Sequence, residues 1–158
     1  MLGRILLTIS ALAQSVGSFI ADWNHTHIYN PRWPPHAKFH NGQTMSMGVG
    51  LCLITLYYTW RFPVISSPNP KLNSEKKEQA RESSEVMMMR KMTRDSMITA
   101  AITGSLYWIT GLSAILYPGS KGMDPEFGDG FPQASFFLVF AGIAIGGAWI
   151  EVSGLRGA

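Results

Sequence analysis

Cysteine is almost absent from this sequence, and charge is absent from several long stretches of it. The single cysteine, Cys52, lies inside an apolar run and can form no intrachain disulfide, which excludes a small disulfide-stapled secreted domain. A basic stripe with interleaved aromatic residues is also missing, because the 13 Lys and Arg residues are mixed with 10 Asp and Glu residues. Nucleic acid is therefore not predicted as a partner. The 158 residues are interpreted as one domain, residues 1–158, in which apolar runs alternate with one charged segment.

Four apolar runs are long enough to form membrane-crossing helices. A helix rises about 1.5 Å per residue and needs roughly 20 residues to cross the hydrocarbon core of a bilayer. The sequence predicts an all-α integral membrane four-helix bundle, with spans at about 3–21, 35–60, 96–117 and 133–152. Pro35 sets the start of the second helix, since proline is accepted in a first helical turn. A signal peptide is the competing interpretation of the first run, because Arg4 precedes it and it contains the small residues Ala11 and Ala13.

The charged segment at residues 61–95 sets the predicted orientation. It contains eight of the 13 Lys and Arg residues, and basic residues favour the cytoplasmic side of a membrane. We expect this segment, with a short exposed helix in it, to be cytosolic together with Arg4 and Arg156. The 118–132 loop and the histidine-rich loop then lie together on the lumenal side, so Asp124, Glu126 and Asp129 lie near the histidines. The predicted protein is a multi-pass protein of the endoplasmic reticulum membrane, in contact with lipid; a homo-oligomer is left open.

Two patterns predict which helix faces point inward. Ser10, Gln14, Ser18 and Asp22 recur every four residues, which places them along one side of the first helix. Polar groups in lipid need partners, so this side is predicted to face the bundle interior. In the fourth helix, the pair Gly142 and Gly146 is predicted to allow another helix to approach closely.

All four histidines lie between residues 22 and 43, which predicts a functional site there. His36 and His40 have the i, i+4 spacing that lets two imidazoles share one ion. However, Ala37 follows His36 where the zinc-peptidase pattern has glutamate, so neither stoichiometric zinc or iron nor any other cofactor is expected. A purely structural cluster, with imidazoles bonded to loop carbonyls, is a further alternative.

Metal-free acid–base catalysis at the mouth of a membrane cavity is the interpretation we favour. Asp22 is predicted to be the base, and His36 or His40 the acid, because histidine titrates near neutrality and a partly buried carboxylate is an adjustable base. The residues predicted to bind or orient an oxygen-bearing, lipophilic substrate are His25, His27, Asn30, Arg32 and Gln43. Membrane burial would let such a substrate enter sideways from lipid.

The loop also carries a resemblance to a known group of proteins. It contains Asp-x-Asn-x-Thr-His and then Asn-Pro-x-Trp-Pro-Pro-His-Ala-x-Phe-His. On a small four-span protein, this pattern resembles a family of fungal and bacterial integral membrane proteins whose members in fungal polyketide clusters are similar to the epoxide hydrolases of the aurovertin, citreoviridin and asteltoxin pathways. The resemblance implies that epoxides of a polyene polyketide are opened, with closure to cyclic ethers, in secondary metabolism. The alternatives are a membrane isomerase resembling the emopamil-binding-protein type and a non-catalytic membrane subunit.

Overall fold

Four α-helices form the part of the chain that the structure describes. The structure is a computed structural model that describes residues 1–64 and 76–155, with the side chains of the second range given from residue 83 onward. The helices are α1 (Leu2–Asp22), α2 (Pro35–Trp60), α3 (Lys76–Ser113) and α4 (Gln133–Gly154), and a 3₁₀ turn at Ala114–Leu116 follows α3. No strand occurs in these residues, so the predicted all-α class is confirmed. Residues 65–75 of the predicted cytosolic loop and Arg156 lie outside the described residues.

Prolines start two of the helices, whereas the start of α3 differs from the prediction. α2 begins at Pro35, directly after an extended Pro34, and α4 begins after Pro132. α3 begins at Lys76 instead of residue 96 and runs for 38 residues. The charged stretch predicted to form a separate short helix is therefore the first part of the third helix. The physical reason is that no glycine or proline between residues 76 and 95 ends it.

Three of the four helices are long and apolar enough to cross a membrane. These are Leu2–Asp22, the Ser83–Leu116 stretch and Gln133–Gly154. Large apolar side chains cover their outward faces: Ile20, Ile102 and Trp149 are 74%, 58% and 69% exposed. An exposed apolar surface of this extent is typical of helices that face lipid. α2 is not among the three, because its first turns are rich in polar residues.

The helices are antiparallel neighbours in chain order. α1 packs against α2, α3 and α4, and α3 packs against α2 and α4, whereas no contact joins α2 to α4 within the described ranges. At one end of the bundle the buried Arg4 guanidinium donates to the carbonyls of Phe62 (2.6 Å) and Pro63 (3.3 Å), and its Nε lies 3.6 Å from a Glu151 carboxylate oxygen. The start of α1 is thereby joined to the ends of α2 and α4.

A close contact between two glycines brings α1 and α4 together. A Cβ atom on Gly147 would lie 2.7 Å from the Gly3 carbonyl oxygen, and one on Gly3 would lie 2.1 Å from the Gly147 carbonyl oxygen. Gly142 and Gly146 have nothing within 4 Å of such an atom, so the predicted close approach at this pair is wrong. α4 is apolar on every side, and its sequence therefore does not show which of its glycines faces α1. Beside the glycine contact lies the apolar core, formed by Leu7, Met97, Ala100, Ala144 and Ala148.

The polar stripe of α1 faces inward as predicted. Ser10 and Gln14 are fully buried and Ser18 is 3% exposed. The Ser10 hydroxyl shares its one proton between the carbonyls of Gly104 (3.1 Å) and Phe140 (3.0 Å) and accepts a hydrogen bond from the Trp108 indole (3.0 Å). This hydroxyl links three helices inside the bundle, and about one turn beyond Ser18 the same stripe reaches Asp22.

Candidate active site around Asp22

The Asn24 amide orders the loop that follows α1. Its Nδ2 donates to the carbonyls of Ile20 (3.2 Å) and Ala21 (2.7 Å) at the end of the helix. These two bonds turn its Oδ1 toward Thr26, whose backbone N–H (2.8 Å) and hydroxyl (2.6 Å) both donate to it. Carbonyls left unpaired at the end of α1 are thereby satisfied, and the Thr26 hydroxyl proton has a fixed acceptor.

This arrangement determines which nitrogen of His27 is available for chemistry. The Thr26 hydroxyl oxygen lies 2.7 Å from His27 Nδ1. Because the only hydroxyl proton of Thr26 goes to Asn24, we assign the proton of this second bond to His27, whose Nδ1–H donates to Thr26. His27 Nε2 is then the basic nitrogen, and it lies 3.7 Å from Asp22 Oδ1. When His27 Nε2 carries a proton, His27 and Asp22 form an imidazolium–carboxylate pair.

Asn41 of α2 holds the other oxygen of the Asp22 carboxylate. Its Nδ2 donates to Asp22 Oδ2 at 2.9 Å, whereas its own Oδ1 is buried and accepts no hydrogen bond. Asn41 is only 9% exposed. Buried polar atoms are normally paired, and leaving one unpaired costs on the order of 1–3 kcal/mol. Asn41 Oδ1, an acceptor without a donor, therefore belongs to the same amide group that holds the Asp22 carboxylate.

Tyr107 brings α3 to the same place. The residue is half-buried, and its hydroxyl interacts with the Ser18 side chain and experiences the charge of Asp22. Ser18 donates its own proton to the Ser15 carbonyl at 2.8 Å, which leaves its oxygen free to accept from Tyr107. Tyr107 therefore adds a hydroxyl of α3 to the surroundings of the Asp22 group.

The α3–α4 loop contacts the loop that carries His27. The Trp33 ring lies edge-on to His27, with centroids 4.8 Å apart, and its indole donates to Asp124 at 3.1 Å. Glu126 forms an ion pair with Arg32 and accepts from Asn30 Nδ2 at 3.2 Å. The prediction that Asp124 and Glu126 lie beside the histidine loop is confirmed. An open cleft of about 390 Å³ lies between the two loops. It is lined by Asn30, Arg32, Trp33, Asp124, Pro125 and Glu126.

His36 and His40 lie on another face of α2. Their Nε2 atoms are 3.0 Å apart, and His40 Nδ1 lies 3.2 Å from Gln43 Oε1. All three side chains are exposed, whereas Asn41, the residue after His40, points into the bundle. No contact within the described residues joins either histidine to Asp22. His25 is also exposed, beside the Tyr29 ring at 5.8 Å between centroids.

Comparison with known proteins places the chain in a family. The sequence profile of a family of unknown function, DUF6640, matches residues 6–80 and 77–158. The chain belongs to this family. No curated protein and no solved structure matches it.

In this DUF6640 protein the sequence-predicted residues form separate groups. Asp22 and His27 lie together, while Asn30 and Arg32 are engaged by Glu126. The other four predicted residues are exposed: His25, His36, His40 and Gln43.

Sequence reasoning missed the residues that position the Asp22–His27 pair, which are Asn24, Thr26 and Asn41, and it missed Tyr107 near them. The sequence does give a signal for Asn41. In a helix that starts at Pro35, residue 41 is rotated by about 100° from residue 40, so it lies on a different side of the helix from the exposed His36 and His40. Tyr107 gives none, since it is one aromatic residue in a long apolar run.

Proposed function

We propose that this DUF6640 protein is a membrane-bound epoxide hydrolase or cyclase that works by general acid–base catalysis at Asp22. The observation that carries the proposal is the buried, unpaired Oδ1 of Asn41 beside the Asp22 carboxylate. A group that satisfies both Asn41 Oδ1 and the Asp22 carboxylate must have two protons to donate, as water does. A substrate hydroxyl has one proton, which it can donate to one of the two acceptors while it reacts. Both are the nucleophiles that open epoxides.

In this proposal Asp22 removes the proton from the nucleophile, and Asn41 holds the nucleophile in place. Proton removal makes the attacking oxygen more electron-rich as it forms its bond to the epoxide carbon, and the carbon–oxygen bond of the ring breaks. The departing oxygen needs a proton at the same moment. The nucleophile must therefore meet a base while the departing oxygen meets an acid of opposite protonation state.

His27 is our acid, in place of His36 or His40. Its Nδ1–H is held by Thr26, so a proton on Nε2 is presented at the same place as Asp22 Oδ1. After one turnover Asp22 carries the proton of the nucleophile and His27 has lost its own. Proton transfer across the gap between the two groups restores the starting state, and no cofactor is consumed.

The substrate class follows from the position of the pair at a bundle mouth and from the resemblance of the loop. We propose an epoxide of a polyene polyketide, made in fungal secondary metabolism, whose apolar chain enters from lipid. The loop contacts of Glu126 and Asp124 support this, because they hold the α3–α4 loop beside the pair at the mouth of the bundle.

Isotope labelling tests the reaction. Membranes that contain the protein are incubated with an epoxidised polyene pyrone in oxygen-18 water, beside membranes of the same host without it. We expect either a diol that carries one labelled oxygen, from hydrolysis, or an unlabelled cyclic ether, from attack by a substrate hydroxyl. An unlabelled double-bond isomer would support the isomerase alternative instead. No turnover of any epoxide would refute the proposed reaction.

We further propose that α2 is a fourth span and that both ends of the chain face the cytosol of the endoplasmic reticulum membrane. α2 has 26 residues, about 39 Å of helix, and its second half exposes Leu53, Tyr57 and Trp60. The lumenal side then holds the Asp22 site. The charged start of α3 is cytosolic.

Cysteine labelling tests this topology. In sealed microsomes an impermeant maleimide is expected to label Ser84→Cys directly and Ser120→Cys only after the membrane is permeabilised. Both positions are exposed, and the native Cys52 is buried, so background labelling is low. Labelling of Ser120→Cys in intact microsomes would show that this loop faces the cytosol, the opposite of the proposed orientation. Labelling of both variants in intact microsomes would mean that α3, the helix between the two positions, does not cross.

A further inference from the structure

His36, His40 and Gln43 form an exposed cluster that the proposed reaction leaves unused. His40 Nδ1 lies 3.2 Å from the Gln43 side-chain oxygen, which only accepts, so Nδ1 carries the proton of His40. His40 Nε2 is then a lone-pair nitrogen, and it faces His36 Nε2 at 3.0 Å. The two side chains lie one turn apart on the same face of α2, and a hydrogen bond joins their Nε2 atoms.

We propose that His36 and His40 bind one Cu²⁺ or Ni²⁺ ion through their Nε2 atoms, with water in the remaining positions. Two nitrogens that each lie 2.0–2.1 Å from a metal are about 2.9 Å apart at the 90° angle of a square-planar or tetragonal ion, and about 3.4 Å apart around a tetrahedral one. The observed separation of 3.0 Å fits the first geometry. Cu²⁺ and Ni²⁺ favour it, and Zn²⁺ favours the second.

Gln43 acts as a positioning residue for this site. A metal-bound histidine usually donates its other ring N–H to an acceptor, which fixes the tautomer and the direction of the ring. Gln43 already supplies that acceptor to His40. For His36, binding needs only that its proton move from Nε2 to Nδ1 through solvent, so a neutral pair takes up the ion without net loss of a proton.

The site differs from a resident zinc or iron centre. No group of three or more His, Cys, Asp or Glu residues that could hold a metal ion occurs among the described residues, so the protein provides only two ligands here. Both are exposed, and the ion therefore exchanges with the surrounding solution. Asn41 follows His40 directly, so an ion bound across residues 36 and 40 also stabilises the helical turn from which Asn41 reaches Asp22.

Titration of the purified full chain with CuCl₂, NiCl₂ or ZnCl₂ tests the proposal. The protein carries no histidine tag and is treated with a chelator before each titration. We expect one Cu²⁺ per chain, with affinity falling in the order Cu²⁺, Ni²⁺, Zn²⁺, and an electron paramagnetic resonance spectrum that shows two equivalent nitrogen ligands. Metal addition is expected to raise the unfolding temperature, because the ion binds only the folded helix.

Three variants separate this site from other copper-binding groups. His40→Gln is expected to abolish the two-nitrogen spectrum, and Gln43→Leu to weaken binding by about tenfold while the spectrum is kept. The matched control is His25→Gln, which removes an exposed histidine outside α2 and is expected to change neither. Copper binding that survives His40→Gln unchanged, or that is lost in His25→Gln, would overturn the assignment, as would the absence of stoichiometric binding in the unmodified protein.

Discussion

Replacing Asp22 by asparagine is expected to lower epoxide turnover by at least about 100-fold, the usual contribution of a general base. The substitution keeps the size of the side chain and an oxygen that can accept from Asn41, but an amide oxygen is far too weak a base to take the proton of the nucleophile. The measurement is the initial rate of product formation in membranes, with the amount of folded protein determined by size-exclusion chromatography in detergent.

The matched control is Asp124→Asn, which neutralises a carboxylate on the same side of the bundle. Asp124 accepts from the Trp33 indole, and an asparagine oxygen can keep that bond, so turnover is expected to stay within a few-fold of normal. If Asp22→Asn retains full activity, Asp22 is not the base. If both variants lose activity equally, the loss comes from the charge of the loops and not from proton transfer.

Gly147→Ala is expected to destabilise the protein by about 1–3 kcal/mol, the usual cost of overpacking. The added methyl group would lie 2.7 Å from the Gly3 carbonyl oxygen, 3.0 Å from Leu6 Cβ and 3.2 Å from the Leu7 backbone nitrogen. Backbone atoms of a helix cannot move independently, so α1 and α4 must separate. The predicted loss outweighs the gain in helix propensity from glycine to alanine, which is about 1 kcal/mol.

Gly146→Ala serves as the control for this substitution. It makes the same chemical change one residue earlier in the same helix, where the added methyl group meets nothing within 4 Å. Its unfolding temperature in detergent is therefore expected to stay the same or rise, while that of Gly147→Ala falls. A fall of equal size in both variants would show that the helix itself requires glycine, and the contact with Gly3 would then explain nothing.

Hydropathy and proline positions predict most of this fold from the sequence. The observed bounds of α1, α2 and α4 agree closely with the predicted spans, because Pro35 and Pro132 fix two starts and the apolar runs end at polar residues. α3 differs, since a charged stretch without glycine or proline extends a helix as readily as it forms a separate one. The second feature that the sequence does not predict is the rotation of a helix about its axis, which decides the side that is buried. In α4, where every side is apolar, nothing in the pattern distinguishes Gly146 from Gly147.

The sequence predicts which loop forms the candidate site, but it does not predict the contacts within that site. The four-residue period of α1 correctly places Asp22 at the end of an inward stripe, and the histidine loop does supply its partner, His27. The choice among four histidines depends on hydrogen bonds that sequence spacing does not encode. Asn24 selects the acceptor of the Thr26 proton, and Thr26 in turn selects the tautomer of His27.

The bonds of Ser10 have a consequence for biosynthesis. Its two carbonyl acceptors lie 94 and 130 positions later in the chain, at Gly104 and Phe140. In the proposed membrane topology neither acceptor has been made when α1 enters the bilayer, so the Ser10 hydroxyl is then without its native partners. The first helix to be synthesised thus acquires its complete set of partners only when the last helix is made. A chain that stops before α4 would leave the Ser10 hydroxyl without its Phe140 acceptor.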